Sequence, residues 1–416
     1  MKQPTVAIVG GGAAGYFAAI HCAENLPNAR VVLLEGTQRP LTKVRISGGG
    51  RCNVTHHCFD PAELVKAYPR GHRELRGPFS RFQPKDTIAW FEGRGVRLKV
   101  EPDGRMFPTT DDSATIADCL IQTTIKAGVE IRLGAVVKAV ARGEGGGFLI
   151  SLRDAQESFD AIIFTTGSAP SGHEMIRNLG HTIVSAVPSL FTFNITDPRL
   201  AELPGIAFER AKLQLQVDAG DKTSRFEQVG PLLITHWGLS GPAVLKLSAW
   251  AARSLFDAKY QATLKINFIP SLSTDALIHQ FVRFKEQHPK KALSNECPAE
   301  VPKRFWRKLV ELAGISESET WANLPKTTLQ SLARELTEGT YQVSGKGVFK
   351  DEFVTCGGVA LNEVDFRTMQ SRLCPGLFFA GEVLDIDGIT GGFNFQNAWT
   401  TAFIAAQGVE ALLSQA

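Results

Sequence analysis

Apolar residues open the chain in two alternating patterns. Residues 6–9 form a short apolar run, residues 13–25 are small and apolar in the manner of a buried helix, and residues 31–34 form a second apolar run. Strand, helix and strand in that order imply a parallel sheet with a right-handed crossover. Residues 111–127 read as another helix, with Asp112 or Ser113 as its cap and Gly128 as its stop. Alternating strand material continues through Val140. Glu144-Gly145-Gly146-Gly147 reads as a hairpin turn, and residues 161–165 as a short buried strand that ends at Gly167.

From about Pro188 the pattern changes to alternating apolar and polar residues, as in Leu213-Gln214-Leu215-Gln216-Val217 and again over 262–268. That alternation predicts antiparallel sheet with one face in water, and so an inserted domain. Residues 271–338 turn helical. After Phe353 the opening character returns, with an apolar run at 377–380 and a last helix over 394–413. The expected division is therefore a discontinuous nucleotide-binding domain (1–188 and 352–416), an antiparallel β domain (189–270 and 339–351) and a helical subdomain (271–338). The fold class is α/β, with a Rossmann-like domain interrupted by a barrel-like insertion.

Composition narrows the classes. The chain has 416 residues, 44% of them hydrophobic, enough for two or three domains with cores of their own. A formal net charge of +3 does not announce a polyanionic partner, so nucleic acid is not expected. The pairs Lys290-Lys291, Lys303-Arg304 and Arg307-Lys308 qualify this. They read either as the solvated face of amphipathic helices or as an electrostatic docking surface. Seven cysteines, with no CxxC pair and no metal-type spacing, suit a reduced cytoplasmic interior and no metal. The amino terminus leaves no room for a cleaved leader, and no apolar stretch reaches membrane-spanning length without charge.

The strongest local motif is Gly10-Gly11-Gly12-Ala13-Ala14-Gly15, with glycines at the first, third and sixth positions of the dinucleotide fingerprint. Gly10 permits the turn off the strand, Gly12 lets backbone approach a pyrophosphate, and Gly15 lets helix and strand pack closely. The helix amino terminus, through Ala13 and Ala14, then offers N–H groups and a partial positive charge to the phosphates. Glu35 ends the second strand about 20 residues beyond Gly15, where a carboxylate accepts from ribose hydroxyls and repels the 2′-phosphate of NADP.

Four further segments favour FAD over NAD. Lys43-Val44-Arg45-Ile46-Ser47-Gly48-Gly49-Gly50-Arg51-Cys52-Asn53-Val54-Thr55 is too glycine-rich and polar for core or linker, and exposed N–H groups there suit a flavin and its phosphates. Thr165-Thr166-Gly167 closes a buried strand at a sharp turn. Gly381-Glu382 follows the apolar run 377–380, where a carboxylate meets ribityl hydroxyls. Gly388-Ile389-Thr390-Gly391-Gly392-Phe393-Asn394-Phe395-Gln396 precedes the last helix, whose amino-terminal dipole stabilises negative charge at a reduced flavin's N1–C2 region.

These segments, together with Leu232-Leu233-Ile234-Thr235-His236-Trp237-Gly238-Leu239-Ser240-Gly241-Pro242-Ala243 and Val354-Thr355-Cys356-Gly357-Gly358-Val359, resemble the BaiN-like flavoproteins, also called the aminoacetone oxidase family. The resemblance spans nearly the whole chain. It implies a glutathione-reductase-type FAD domain carrying a barrel-like insertion and a small helical domain, with FAD held non-covalently. The implied cofactor residues are Gly10, Gly12, Ala13, Ala14, Gly15, Glu35, Lys43, Ser47, Gly48, Gly49, Arg51, Cys52 and Asn53 near the amino terminus, then Val137, Thr166 and Gly167. Gly381, Glu382, Gly392, Phe393, Asn394 and Gln396 complete the set. Members usually carry a longer glycine-rich stretch where this chain has Ser168-Ala169-Pro170-Ser171-Gly172-His173. They also carry a small residue at Cys356 and a Ser-Gly pair at Thr400-Thr401.

No catalytic acid or base is assigned from sequence. His236 is either a structural histidine or a proton carrier near neutral pH. Arg51 either binds a substrate carboxylate or pins its loop through backbone carbonyls. Cys52 and Cys356 lack the spacing of a redox dithiol. The expected activity is hydride exchange between flavin N5 and a small organic substrate, as amine oxidation or as reduction of an activated double bond. Mid-chain holds no second fingerprint, so either the substrate reduces the flavin directly or NAD(P)H binds transiently in the same pocket. The alternative is a flavoprotein that acts on, or docks to, RNA through the helical subdomain.

Overall fold

The computed structural model describes residues 3–347 and 354–414. They fall into two compact units, Met1–Val187 with Phe353–Ala416, and Pro188–Glu352. The sequence-based boundary at 351/352 lies outside the described residues.

The first unit is built on a seven-stranded sheet. Its order is Val364–Asp365, Gln370–Ser371, Leu377–Phe379, Ala161–Phe164, Thr5–Val9, Arg30–Glu35 and Glu130–Leu133. The last five of these run parallel. Strands covered on both faces need apolar residues at consecutive positions, and Val6, Ala7, Ile8, Ile162, Ile163 and Phe164 are all fully buried. The helix Ala13–Asn25 is buried from Ala14 to Cys22 and packs along the closing helix Phe393–Leu413. Between them Phe17 meets the rings of Phe82, Trp90 and Trp399. The helix Ser113–Lys126 starts where its cap predicts, with the Asp112 carboxylate accepting from Ala114 N at 2.8 Å. The strands Ala139–Arg142 and Phe148–Ser151 pair around the expected glycine turn.

The sequence assigns no element to the polar stretch after Leu41. It forms a short helix, Thr42–Gly50, broken at Ser47, where ψ is 152°. Gly48, Gly49 and Gly50 then take φ of 58°, 69° and 85° in succession. A left-handed conformation costs a residue with a Cβ about 1–2 kcal/mol, so three such residues together call for glycine.

The second unit holds an antiparallel sheet in the order Gly339–Val343, Ala262–Asn267, Ala207–Ala219, Lys222–Thr235, Gly238–Ser240, Phe193–Asn194 and Gly345–Lys346. The first and last strands of that order are separated in the chain only by Ser344, so the sheet curls until its edges nearly meet. Leu213, Leu215 and Val217 point inward and are buried, as the alternation requires. The helices Thr274–Gln287, Lys303–Leu312 and Lys326–Glu338 share one core with this sheet. Phe305 lies 5.1 Å from the Phe208 ring and 4.7 Å from the Phe268 ring, and Phe268 N donates to Leu336 O. The pairs Lys303-Arg304 and Arg307-Lys308 lie on the helix Lys303–Leu312, opposite its buried Phe305, Trp306, Leu309 and Val310, whereas Lys290-Lys291 lies in the turn after the helix Thr274–Gln287. Among the described residues no helix is long and apolar enough to cross a membrane.

His21 gives the first unit an acid-labile point. Its ring is enclosed by Phe17 at 4.6 Å and Phe403 at 5.1 Å, and burial, with Arg94 nearby, pushes its pKa down to about 3. The Glu24 carboxylate at 3.9 Å does not offset this. The folded state keeps His21 neutral, whereas the unfolded chain takes up the proton below about pH 6.5. Its contribution is therefore fully present above that pH and is lost progressively as pH falls toward about 3. Replacing His21 with Phe should flatten the fall of the urea midpoint between neutral pH and about 3 while leaving neutral stability nearly unchanged. Parallel acid limbs for both proteins would refute this assignment.

Candidate cofactor site

The site forms where the parallel strands end. Gly10, with φ 113°, turns the chain off the first strand, and a Cβ there would lie 2.6 Å from Thr165 O. A Cβ at Gly15 would lie 1.9 Å from Gly10 O, so helix and strand meet at a distance only glycine permits. Gly12 is different: nothing lies within 4 Å of where its Cβ would be. It stands at the N-cap position of the helix, and among the described residues no side chain makes a cap hydrogen bond there. Open space, unclaimed donors and the positive end of a helix dipole together make a cradle for an anion.

Glu35 stands at the end of the neighbouring strand. Its Oε2 accepts from Gly11 N at 2.7 Å and its Oε1 from Thr37 N at 2.7 Å. Each oxygen keeps a lone pair for a further donor. The middle glycine of the triplet thus holds the carboxylate in place. Val137 follows the adjoining strand, where Ala135 N donates to Glu35 O at 2.9 Å.

Residues from the two ends of the sequence converge here. Lys43 Nζ lies 2.5 Å from Glu382 Oε2, and Glu382 Oε1 accepts from Thr355 N at 3.0 Å. A Cβ on Gly167 would lie 3.6 Å from the same Oε2, and one on Gly381 only 2.9 Å from the Ala14 Cβ. Thr166 adjoins them, with a buried hydroxyl that has no hydrogen-bond partner among the described residues. The Asn53 amide, with its oxygen set toward Gly392, accepts from Gly392 N at 2.9 Å and donates to Thr55 O at 3.1 Å. Ser47, Gly48 and Gly49 form the exposed bend between Lys43 and Asn53, and nothing lies within 4 Å of a Gly49 Cβ. Asn394 clamps the next turn, accepting from Gly388 N at 2.8 Å and donating to Gly388 O at 2.9 Å.

Several expected residues are engaged with protein partners. Arg51 Nη1 is 2.7 Å from Glu101 Oε1 and 3.6 Å from Asp111 Oδ1, and its guanidinium lies 4.0 Å from the Phe107 ring centroid. It pins its loop through carboxylates and an aromatic face rather than through backbone carbonyls. Gln396 is wholly buried: its Oε1 accepts from Thr55 and Thr87, and its Nε2 donates to Thr400. Phe393 stacks on His56 with centroids 4.5 Å apart. Burial pushes the Cys52 thiol up to about 12, so it remains protonated at neutral pH. No disulfide joins the cysteines among the described residues. His236 is exposed and belongs to the second unit.

Other contributors escaped sequence reasoning. Tyr68 Oη donates to Phe393 O at 2.6 Å, Ile389 N to Ala67 O at 2.9 Å, and Arg70 forms an ion pair with the fully buried Asp387. Thr401 Oγ1 accepts from Gly381 N at 2.9 Å, a role for one of the two threonines that depart from the family pattern. Asp387 adjoins a recognised glycine segment and was within reach. The partners Ala67, Tyr68 and Arg70 carry no local signal.

The HI0933-like protein Rossmann domain family matches residues 4–408. The chain belongs to that family. This HI0933-like chain is 30% identical over 416 residues to a ribosomal RNA dihydrouridine synthase of Escherichia coli K12, with 98% of each chain covered. It is 27% identical over 413 residues to a 3-dehydro-bile acid delta(4,6)-reductase of Clostridium scindens, covering 97% of this chain and 98% of that one. Among solved structures it shares the fold of a 3-ketosteroid delta1-dehydrogenase from Sterolibacterium denitrificans, with a TM-score of 0.51 at 12% identity and 98% and 100% of the two chains covered.

The Asn53 bridge has a measurable cost of removal. Asn53→Ala leaves Gly392 N and Thr55 O without these partners, and it should lower stability by about 1–3 kcal/mol, read as a reduced urea midpoint. An unchanged midpoint would mean that the bridge does not hold the two ends together.

Proposed function

We propose that this FAD-dependent oxidoreductase reduces carbon–carbon double bonds conjugated to a carbonyl group. The observation that carries the reading is the uncapped helix amino terminus at Gly12, with Glu35 fixed at the next strand end and segments from both chain ends gathered beside them. When bound, FAD supplies hydride exchange at N5. The protein supplies placement and charge. Gly10, Gly12, Ala13, Ala14 and Gly15 receive the pyrophosphate, Glu35 accepts from the ribose hydroxyls, and Val137 borders the nucleotide end. Thr166, Gly167 and the Lys43–Glu382 pair flank the ribityl chain. Ser47, Gly48, Gly49 and Asn53 meet Gly392, Phe393 and Asn394 around the ring system. There the amino terminus of the closing helix favours negative charge. Arg51, Cys52 and Gln396 act behind this surface as positioning residues, because their polar groups are engaged or buried.

The direction of reaction rests on chemistry shared by two relatives. A delta(4,6)-reductase of an oxidised bile acid and a dihydrouridine synthase both, by name, add hydrogen across a ring double bond. In each ring that bond lies in conjugation with a carbonyl, so hydride goes to the far carbon and a proton to the near one. The reductant is NAD(P)H bound transiently, since reduction consumes electrons that the substrate does not supply. A second reading, in which the double bond belongs to uridine in RNA, is favoured by one observation, the 30% identity over 98% of the chain to the ribosomal RNA enzyme.

Two measurements test this. Anaerobic NAD(P)H should bleach the bound flavin, and a conjugated enone or a uridine-containing RNA should restore its absorbance. Bleaching by primary amines, with nicotinamides inert, would overturn the direction proposed. Separately, Glu35→Ala should weaken FAD binding about 10- to 100-fold, the equivalent of a hydrogen bond to a charged group, measured by flavin fluorescence titration. Retention equal to wild type would remove Glu35 from the site.

A further inference from the structure

The second unit carries a groove of about 690 Å³, a size ordinary for small-ligand sites. Its floor is apolar, from Leu200, Pro204, Leu233 and Ile234. Its polar members are His236, Thr235, Glu202 and Arg304, and Trp237 forms part of its wall. Trp237 is 43% exposed, although its Nε1 donates to Thr192 Oγ1 at 3.2 Å. That bond fixes the edge of the indole while much of the side chain stays in water. An exposed, oriented aromatic beside an apolar floor is a stacking platform.

Charge at the rim says what kind of ring it suits. Arg304 makes one hydrogen bond among the described residues, from Nη2 to Glu202 O at 2.6 Å. The Glu202 carboxylate is 3.5 Å from Lys308 Nζ, which also meets Glu311 at 3.3 Å. Lys303 and Arg307 have no carboxylate partner among the described residues and lie three and four positions apart from Arg304 or one another on one helix. Residues at that spacing share a face, and Phe305, Trp306, Leu309 and Val310 occupy the buried one. The groove therefore has an aromatic wall and one lining cation, Arg304, on a helix that also carries Lys303 and Arg307 outside its buried face. A bare apolar ligand would leave those cations idle, whereas a nucleotide chain uses both features.

The helical segment as a whole is a poor electrostatic platform. Between residues 271 and 338 ten Lys and Arg face nine Asp and Glu. Two of the basic residues are paired with carboxylates among the described residues, Lys291 with Glu296 at 2.7 Å and Lys308 with Glu311 at 3.3 Å. The Lys303, Arg304 and Arg307 edge joins cations that have no carboxylate partner among the described residues to the groove that Trp237 walls.

We propose that this groove seats an unpaired nucleotide of an RNA substrate, its base against Trp237 and its neighbouring phosphates on Arg304, Arg307 and Lys303. The inference rests on the RNA reading given above and names the surface it requires. Base stacking tolerates any sequence, and the arginine contacts make binding depend on salt.

The test uses the FAD-loaded full chain and a fluorescein-labelled oligouridylate of about ten nucleotides, within the span such sites cover. Anisotropy should report binding at low salt. Trp237→Ala should weaken it about tenfold, the loss of one stacked base, with Trp237→Phe retaining most of the affinity. Arg304→Gln with Arg307→Gln should reduce the slope of log affinity against log salt by about 1.4. Flavin absorbance and circular dichroism verify that each variant is folded. Arg73→Gln with Arg367→Gln, in the arginine-lined groove of the first unit, should change little. If that pair abolishes binding while the Trp237 and Arg304 variants bind normally, the groove assignment is wrong and the RNA reading stands. Wild-type protein that fails to bind the oligonucleotide at low salt overturns both. Competition by uridine monophosphate at matched concentration would make the occupant a free nucleotide and overturn the RNA assignment.

Discussion

Backbone hydrogen bonds between Thr5–Val9, Ala161–Phe164 and Leu377–Phe379 join three stretches that are far apart in the chain, and the rest of the first unit depends on them. Because the pairing is parallel and in register, Val9 lies opposite Phe164, and Phe164 opposite Phe379. Gly10, Thr165 and Ala380 therefore leave the sheet at one edge. In open α/β sheets ligands bind at the carboxyl ends of the strands, because the chain must turn there and its N–H groups face outward. A shift in the register of any one strand would move a glycine turn away from the others.

Close approach then sets which residues this edge tolerates. Helix Ala13–Asn25 sits so near its strand that Gly15 cannot carry a side chain, and Gly381 presses on Ala14 from the other side. At the far end of the closing helix a Cβ on Gly408 would lie 2.3 Å from Thr368 O. Space is left beside Gly12 and at the exposed bend of Gly49 and Gly50, where no described residue lies within 4 Å of where a Cβ would be. The gap at Gly12 adjoins helix donors and the Glu35 carboxylate held by Gly11 N, an arrangement suited to an anionic ligand with hydroxyl groups.

Electrostatic pairing divides the charged residues of this unit into two groups by what their atoms already touch. Arg51 is neutralised by Glu101 and Asp111, and these contacts hold its guanidinium on Phe107. Burial and Asp387 consume the charge of Arg70 in the same way. Lys43 and Glu382 pair at the surface instead, with the lysine side chain 52% exposed, so both remain within reach of a ligand. Exposed pairs of this kind add little to stability, which leaves their placement open to a binding role.

The opening strand, helix and strand, the cap at Asp112, the glycine turn near Gly146 and the glycine fingerprint were legible in the sequence, because each depends on residues within a few positions of one another. Glu35 was legible too, since a fixed span of helix and strand separates it from Gly15. Tertiary structure alone decided that Arg51 answers to Glu101, that Gln396 turns inward to Thr55 and Thr87, and that the helices after residue 271 share the core of the antiparallel sheet. A side chain's direction is chosen by whichever distant partner offers burial or opposite charge. That choice has no signature in local spacing, because it is made only after the sheet has brought remote segments together.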